Sequence, residues 1–181
     1  MLDHAKNLRI VKALRKDLPQ LQALMRKSIE TLQSQFLTKP QIRASFEVMG
    51  LDTQLIEDGT YFAVLLDSEL AGCGGWSGRD TLYGGDHSKG RNARLLDPSL
   101  EPARIRAMYT HPDFTRRGIG RLILATCEQA ARDAGFKRAE MMATLAGVPL
   151  YEACGYEKIE DVFDTTSDGT TVPLVRMGKP L

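Results

Sequence analysis

The chain has 181 residues, of which 43% are hydrophobic and 26% are charged, and these values are typical of one globular domain. The 24 Lys and Arg residues nearly balance the 23 Asp and Glu residues, so the net charge of +1 argues against a protein that coats nucleic acid or an anionic membrane. We expect residues 1–181 to form a single domain.

The first part of the chain predicts a strand, two helices and a β-hairpin. The strands are residues 8–15, 61–67 and 69–76, and the helices are residues 17–32 and 40–49. Asp17 and Pro19 are typical of a helix start, and Gly50 of a helix end. A long loop over residues 77–102 follows, and loops of this length inside a domain are often functional.

The second part predicts alternating strands and helices. The strands are residues 103–110, 138–145, 156–165 and 172–177, the helices are residues 117–134 and 149–153, and a turn lies at residues 167–169. With the first part this order indicates an α/β (α+β) fold with a mixed, mostly antiparallel central sheet flanked by helices.

Three features bear on the cellular setting. The longest strongly apolar stretch, residues 61–66, is far shorter than the ~20 residues that cross a bilayer. The N-terminus mixes acids and bases without an apolar segment, so we expect no secretory signal. Cys73, Cys127 and Cys154 are widely spaced, which argues against a disulfide framework or a zinc site. We therefore expect a cytoplasmic protein without a metal.

The segment from Thr115 to Arg121, TRRGIGR, joins a predicted strand to a predicted helix. Glycines let the backbone approach a ligand, and the free N–H groups of a first helical turn bind anions. Arginines suit phosphate oxygens. Taken alone, the segment predicts a phosphate site or a helix start with solvated arginines. No GK[ST] follows, and Ile123 stands where a dinucleotide fingerprint needs glycine.

This segment resembles the (Q/R)-x-x-G-x-(G/A) loop that binds the acyl-CoA pyrophosphate in the GNAT superfamily of N-acetyltransferases. His111-Pro112 stands at that family's strand-to-loop junction, and residues 147–156, GVPLYEACGY, resemble its second signature, Y-x-x-x-G-(F/Y). The order of elements also matches, so the resemblance covers essentially the whole chain. Two departures are Thr115 at the first loop position and Thr144 where the family often has asparagine.

The resemblance implies acetyl-CoA as the cosubstrate, with its pantetheine between the strands 104–110 and 138–145, which diverge in this family. The implied donor-binding residues are Met108, Tyr109, Thr110, Thr115, Arg116, Arg117, Gly118, Ile119, Gly120 and Arg121. The implied reaction is direct attack by a substrate amine on the thioester, and a covalent route through Cys154 is the less favoured alternative.

Tyr151 matches the family tyrosine that lies near the departing sulfur. A thiol pKa of about 8.5 against about 10 for tyrosine makes complete proton transfer uphill by roughly 2 kcal/mol, so a hydrogen bond to the thiolate is as plausible as protonation. The structural alternative is a tyrosine that packs only on its own helix. We expect Tyr151 to be the catalytic residue.

The general base and the acceptor are left open by the sequence. Strand 103–110 carries no Asp or Glu, and the candidates for a base are Glu47, Asp80, Asp86, His87 and Glu101. Tyr83 and Trp76 are candidates for the wall of an acceptor pocket. Polyamines, amino acids, antibiotics and peptide N-termini fit as acceptors about equally, and a homodimer is possible. The alternative function is a catalytically silent sensor that binds acyl-CoA.

Overall fold

Seven strands form one sheet in a computed structural model, which describes residues 7–181. The strands are β1 Leu8–Lys12, β2 Tyr61–Leu66, β3 Glu69–Ser77, β4 Ala103–Thr110, β5 Arg138–Thr144, β6 Glu157–Thr165 and β7 Thr171–Pro180. Their spatial order is β1-β2-β3-β4-β5-β7-β6, and every neighbouring pair is antiparallel except β4 with β5. The predicted mixed, mostly antiparallel sheet is confirmed.

Five α-helices accompany the sheet in the described part of the chain: α1 Leu18–Leu32, α2 Lys39–Val48, α3 Thr53–Glu57, α4 Ile119–Asp133 and α5 Val148–Ala153. Helices α4 and α5 pack against one cluster of buried sheet residues, and α1 and α3 pack against a second cluster. No described helix is long and apolar enough to cross a membrane. The expectation about a secretory signal rests largely on residues 1–6, which lie outside the described residues.

The structure differs from prediction most clearly in three elements, and most other boundaries agree within two residues. Strand β1 ends at Lys12 rather than residue 15, because a 3-10 turn follows in which the Asp17 carboxylate accepts a hydrogen bond from the Leu14 amide at 2.8 Å. Helix α3 was not predicted from the sequence. Strand β7 extends to Pro180, rather than 177, because its last residues pair with the start of β5 at Arg138.

Helix α4 lies directly on the backbone of β3. A Cβ atom at Gly72 would come within 2.6 Å of the Ile119 side chain, and one at Gly74 would come within 2.7 Å of Ile123. Only glycine permits this approach. The close contact fixes the beginning of α4 beside the end of β4.

Strand β4 contains a bulge that turns it away from β5. The pairing with β3 shifts between Tyr109 opposite Cys73 and Arg106 opposite Gly75, and Ala107 between them has a φ of 49°. The buried Tyr61 hydroxyl donates to the Ala107 carbonyl at 2.8 Å. Strands β4 and β5 therefore pair only at residues 103–104 with 139–140, and a gap opens beyond them.

The long loop over residues 78–102 is held by arginine–carboxylate pairs rather than by a core of its own. Arg79 pairs with Asp58 at 2.7 Å, Arg91 with Asp52 at 2.7 Å, and Arg94 with Glu101 at 2.7 Å. Hydrogen bonds from the Arg94 guanidinium lower the pKa of Glu101 to about 2. These contacts place the loop across the sheet.

Arg106 is the buried anchor of that network. Its guanidinium, 3% exposed as a residue, donates to the Asp52 carboxylate at 3.0 Å and to the carbonyls of Thr81 at 3.1 Å and Gly84 at 2.9 Å. Asp52 is equally buried and also caps α3 through the Gln54 amide. One side chain of β4 thus joins the sheet, α3 and the loop.

We expect Arg106→Leu to lower the free energy of unfolding by about 3 kcal/mol, because the change leaves Asp52 and two carbonyls without their buried donor. Urea unfolding followed by circular dichroism measures the loss. Arg94→Leu is the control, since it removes an exposed guanidinium of the same network and is expected to shift the urea midpoint far less. Equal shifts would contradict the anchoring role of Arg106.

Candidate active site

A cavity of about 690 Å³ opens where β4 and β5 diverge. One wall is formed by the end of β4, the beginning of α4 and helix α5, and the opposite wall by the C-terminal part of α1 and the turn after it. Its volume lies in the range of small-molecule and cofactor sites. The divergence of the strands therefore creates room for a ligand as well as unpaired backbone groups.

The loop over residues 115–121, called the arginine loop below, forms the positively charged end of this cavity. Arg116 and Gly118 both have left-handed backbone conformations, with φ values of 63° and 80°. The first intrahelical bond runs from the Leu122 amide to the Gly118 carbonyl at 2.9 Å, so the amides of residues 119–121 lie ahead of it. These amides, the dipole of the 15-residue helix α4 and exposed arginines suit a phosphate group.

The cavity brings together all of the predicted donor-binding residues except Arg117. Its walls include Met108, Tyr109, Thr110, Thr115, Arg116, Gly118, Ile119, Gly120 and Arg121. The Arg117 guanidinium instead lies over the Phe114 ring, 5.3 Å from its centroid, beside the cavity. Thr144, which was noted from the sequence only as a departure, also lines the cavity, and its hydroxyl accepts from the Gly147 amide at 3.3 Å.

A second, smaller cavity of about 70 Å³ lies on the other side of the gap, against the end of α2 and residues 82–84 of the long loop. The two cavities share four lining residues: Met108, Tyr109, Thr144 and Tyr151. A ligand that fills the larger cavity along the gap would therefore bring its end to the smaller one.

Tyr151 lies at this junction. Helix α5 holds it, its ring packs edge-on against Tyr156 with centroids 6.1 Å apart, and the residue is 8% exposed. Burial raises the pKa of Tyr151 well above its ordinary value, so the phenol is neutral at pH 7 and can donate a hydrogen bond, while complete proton transfer to a thiolate becomes more uphill. Its hydroxyl bonds to no other residue within 7–181, which leaves it available to a ligand.

The five candidates for a general base line neither cavity, because each is engaged elsewhere. Their partners are the Ser167 amide and hydroxyl for Glu47, Arg94 and Arg104 for Asp80, Arg91 and Thr53 for Asp86, the Glu47 carbonyl for His87, and Arg94 for Glu101. No Asp, Glu or His among residues 7–181 lines either cavity. These five side chains, four in the long loop and Glu47 in α2, therefore provide no base at either cavity.

Of the two aromatic candidates for an acceptor pocket, only Tyr83 lines the smaller cavity. Its hydroxyl donates to the Asp164 carboxylate at 2.9 Å, which ties the long loop to β6. Trp76 instead packs edge-on against Phe136 at 5.9 Å and belongs to the core, because its strand turns that side chain away from the gap.

The cysteines lie outside both cavities and none forms a disulfide. Burial raises the pKa of the Cys73 thiol to about 12 and that of the Cys127 thiol further. Within residues 7–181 no group of three or more His, Cys, Asp or Glu side chains is arranged to hold a metal ion.

The sequence did not predict most of the residues that line the two cavities from α1, from α2 and from the long loop. Met49 and Gly50 at the end of α2 and Leu82 in the loop line the smaller cavity, and Ser28 and Phe36 line the larger one. Their positions follow from tertiary packing. For Asp52 a signal does exist, since it precedes the residues of α3 as a helix-capping aspartate does.

Comparison with known proteins agrees with this geometry. The sequence model of the acetyltransferase (GNAT) family matches residues 22–156. No curated protein sequence matches the chain.

Solved structures share the fold over nearly the whole chain. A GCN5-related N-acetyltransferase from Rhodopseudomonas palustris is 19% identical with a TM-score of 0.70, covering 100% of this chain and 99% of its own. The PaiA N-acetyltransferase from Thermoplasma acidophilum, solved with coenzyme A, is 14% identical with a TM-score of 0.64, covering 97% and 99%. A ribosomal-protein-alanine N-acetyltransferase from Brucella melitensis is 18% identical with a TM-score of 0.63, covering 96% and 99%.

The family model spans most of the chain, and the solved structures share its fold. The chain therefore belongs to the GNAT family of acetyltransferases.

Proposed function

We propose that the protein transfers an acetyl group from acetyl-CoA to a primary amine by direct attack of the amine on the thioester. The observation that carries this proposal is the junction of the two cavities at Tyr151. The larger cavity offers room for the donor, and the smaller one offers an approach for the acceptor from the opposite side of the gap. Holding both reactants there replaces a bimolecular encounter with an oriented one.

The donor side fits acetyl-CoA, which the GNAT family uses. The free amides at the start of α4, with Arg116 and Arg121, would hold the pyrophosphate. The unpaired part of β4, at Met108 and Thr110, would hold the amide groups of the pantetheine, because no strand on that side satisfies its backbone.

In the proposed reaction the neutral amine nitrogen bonds to the thioester carbon, the carbon–sulfur bond breaks, and the products are an amide and the thiol of CoA. The Tyr151 hydroxyl would donate a hydrogen bond to the departing sulfur and so stabilise its developing negative charge. The absence of any cysteine from the walls of the two cavities within residues 7–181 supports direct attack over an acyl-enzyme.

A second candidate function is an acyl-CoA sensor that does not transfer the acyl group. One observation favours it, namely that no carboxylate or histidine within residues 7–181 lines the cavities to accept the proton of the amine. Tyr151 at the junction favours the enzyme, since a sensor has no need of a proton donor beside the sulfur.

We expect Tyr151→Phe to keep acetyl-CoA binding and to lower kcat by about 100-fold, because it removes the donor to the departing thiolate and little volume. Thiol release under single-turnover conditions measures the rate, and calorimetric titration measures binding. Tyr156→Phe is the matched control, since Tyr156 is equally buried and packs on Tyr151 but lines neither cavity. Unchanged turnover in Tyr151→Phe would remove this residue from the mechanism.

We expect Arg121→Glu to weaken acetyl-CoA binding roughly tenfold at low salt, because a cation beside the pyrophosphate becomes an anion. Calorimetric titration at two ionic strengths checks the result, and the difference from wild type is expected to shrink as salt is added. Arg132→Glu makes the same charge change in the last turn of α4, away from the cavity, and is expected to leave binding unchanged. Equal effects would point to net charge alone.

A further inference from the structure

The smaller cavity, called the acceptor cavity below, is lined by apolar side chains and by polar groups, none of which is a carboxylate within residues 7–181. It is formed by Met49, Leu82, Ile105, Met108, Met141 and Met142, together with three tyrosines and backbone from α2, the loop and β4. Three of the methionines lie on β4 and β5 at the gap itself. A cation that enters such a cavity loses hydration without gaining a counter-ion.

The ionisable groups that face this cavity offer no negative charge. Arg106 lines it, and its guanidinium is already paired with Asp52 at 3.0 Å, with Arg91 on the other side of that carboxylate. Burial raises the pKa of each of the tyrosines Tyr83, Tyr109 and Tyr151, to about 12 for Tyr83, so all three are neutral at pH 7.

Two carboxylates lie behind this lining, and both are engaged. Asp164 accepts the Tyr83 hydroxyl at 2.9 Å, and Asp52 accepts the guanidinium groups of Arg91 and Arg106. The cavity therefore provides neither a base for an ammonium group nor a free cation for a substrate carboxylate, as far as residues 7–181 form it.

An acceptor in this environment must arrive with its amine already neutral. At pH 7 about one alkylamine molecule in 2,500 is neutral if its pKa is about 10.4, whereas roughly one α-amino group in seven is neutral if its pKa is about 7.8. The concentration of the neutral, reactive amine therefore differs about 340-fold between the two kinds of acceptor.

Size narrows the acceptor further. The cavity volume of about 70 Å³ is roughly half of the ~150 Å³ that accommodates benzene in an engineered apolar cavity. A methyl or other small side chain fits within this space, whereas an aromatic ring or a long polyamine would have to extend beyond it.

We infer that the acceptor is the α-amino group of an uncharged compound with a small side chain, either an amino-acid amide or the N-terminus of a peptide, rather than a polyamine or another alkylamine. This inference rests on the proposed acetyl transfer and names the substrate class of that same site.

The test compares acceptors of similar size with the whole chain and acetyl-CoA, using thiol release as the readout. The acceptors are alaninamide, the tripeptide amide Ala-Gly-Gly-NH₂, free alanine, isopropylamine and butane-1,4-diamine. At pH 7 we expect kcat/KM for alaninamide or the tripeptide to exceed that of isopropylamine by about 100-fold. The advantage is expected to fall to about threefold at pH 9.5, because the neutral fraction of the alkylamine rises about 280-fold between these pH values and that of the α-amino group only about sevenfold.

A pair of variants tests the physical cause. Met142→Glu places a carboxylate in the acceptor cavity, and Met142→Gln places a neutral group of the same shape there. We expect the first to raise the kcat/KM of the diamine relative to alaninamide by at least about tenfold, since an ammonium group gains a partner, and the second to leave the ratio unchanged. If Met142→Glu fails to fold, the wild-type acceptor comparison still decides the inference.

The outcomes separate the two proposals. Equal or better use of the diamine or isopropylamine at pH 7 would overturn the inference while acetyl transfer stands, and so would a preference for free alanine over alaninamide. A chain that binds acetyl-CoA and acetylates none of the five amines would overturn the proposed function, and the inference with it. A preference between alaninamide and the tripeptide supports the inference in either direction and identifies the source of the α-amino group.

Discussion

The hydrogen bond from the Tyr61 hydroxyl to the Ala107 carbonyl fixes the feature on which the rest of the site depends. Strand β4 pairs with β3 along most of its length but pairs with β5 only at its beginning. The bulge at Ala107 turns β4 at one residue and makes both pairings compatible. Since Tyr61 is 2% exposed, its hydroxyl takes its partners from within the protein, and the Ala107 carbonyl at 2.8 Å is its oxygen acceptor. Both cavities and the position of Met108 follow from that turn.

The long loop that forms one wall of the acceptor cavity is held by ion pairs. The loop over residues 78–102 has few apolar residues to bury, and its shape is set by guanidinium groups that each reach two or more acceptors. Arg106 carries this network into the sheet. Because each of these carboxylates is paired with an arginine, none is free to accept a proton in the acceptor cavity beside them. The ion pairs that shape the loop therefore also leave that cavity without a free anion.

The sequence predicted the features whose residues are consecutive. The arginine loop is a local backbone conformation, and Tyr151 lies in a short sequence signature. Both could therefore be recognised without tertiary information. The candidates for a base could not be judged from the sequence, because the sequence around a carboxylate such as Asp80 does not show which arginines pair with it in the fold. The sequence left Trp76 open between a pocket wall and the core, because the ring that packs against it, Phe136, lies 60 positions away. Helix α3 is too short to show periodicity.

The ion pairs of the long loop differ in burial, so its parts differ in their resistance to local opening. The outer pair of Arg94 with Glu101 is exposed, and its attraction fades once the Debye length falls to about 3 Å in molar salt. The inner pair of Arg106 with Asp52 is shielded from ions. Rising ionic strength therefore releases the part of the loop near Arg94 and Glu101 before the part held by Arg106. Protease cleavage and amide exchange would begin near Arg94 and Glu101 and reach the residues bound to Arg106 later, while the sheet stays protected.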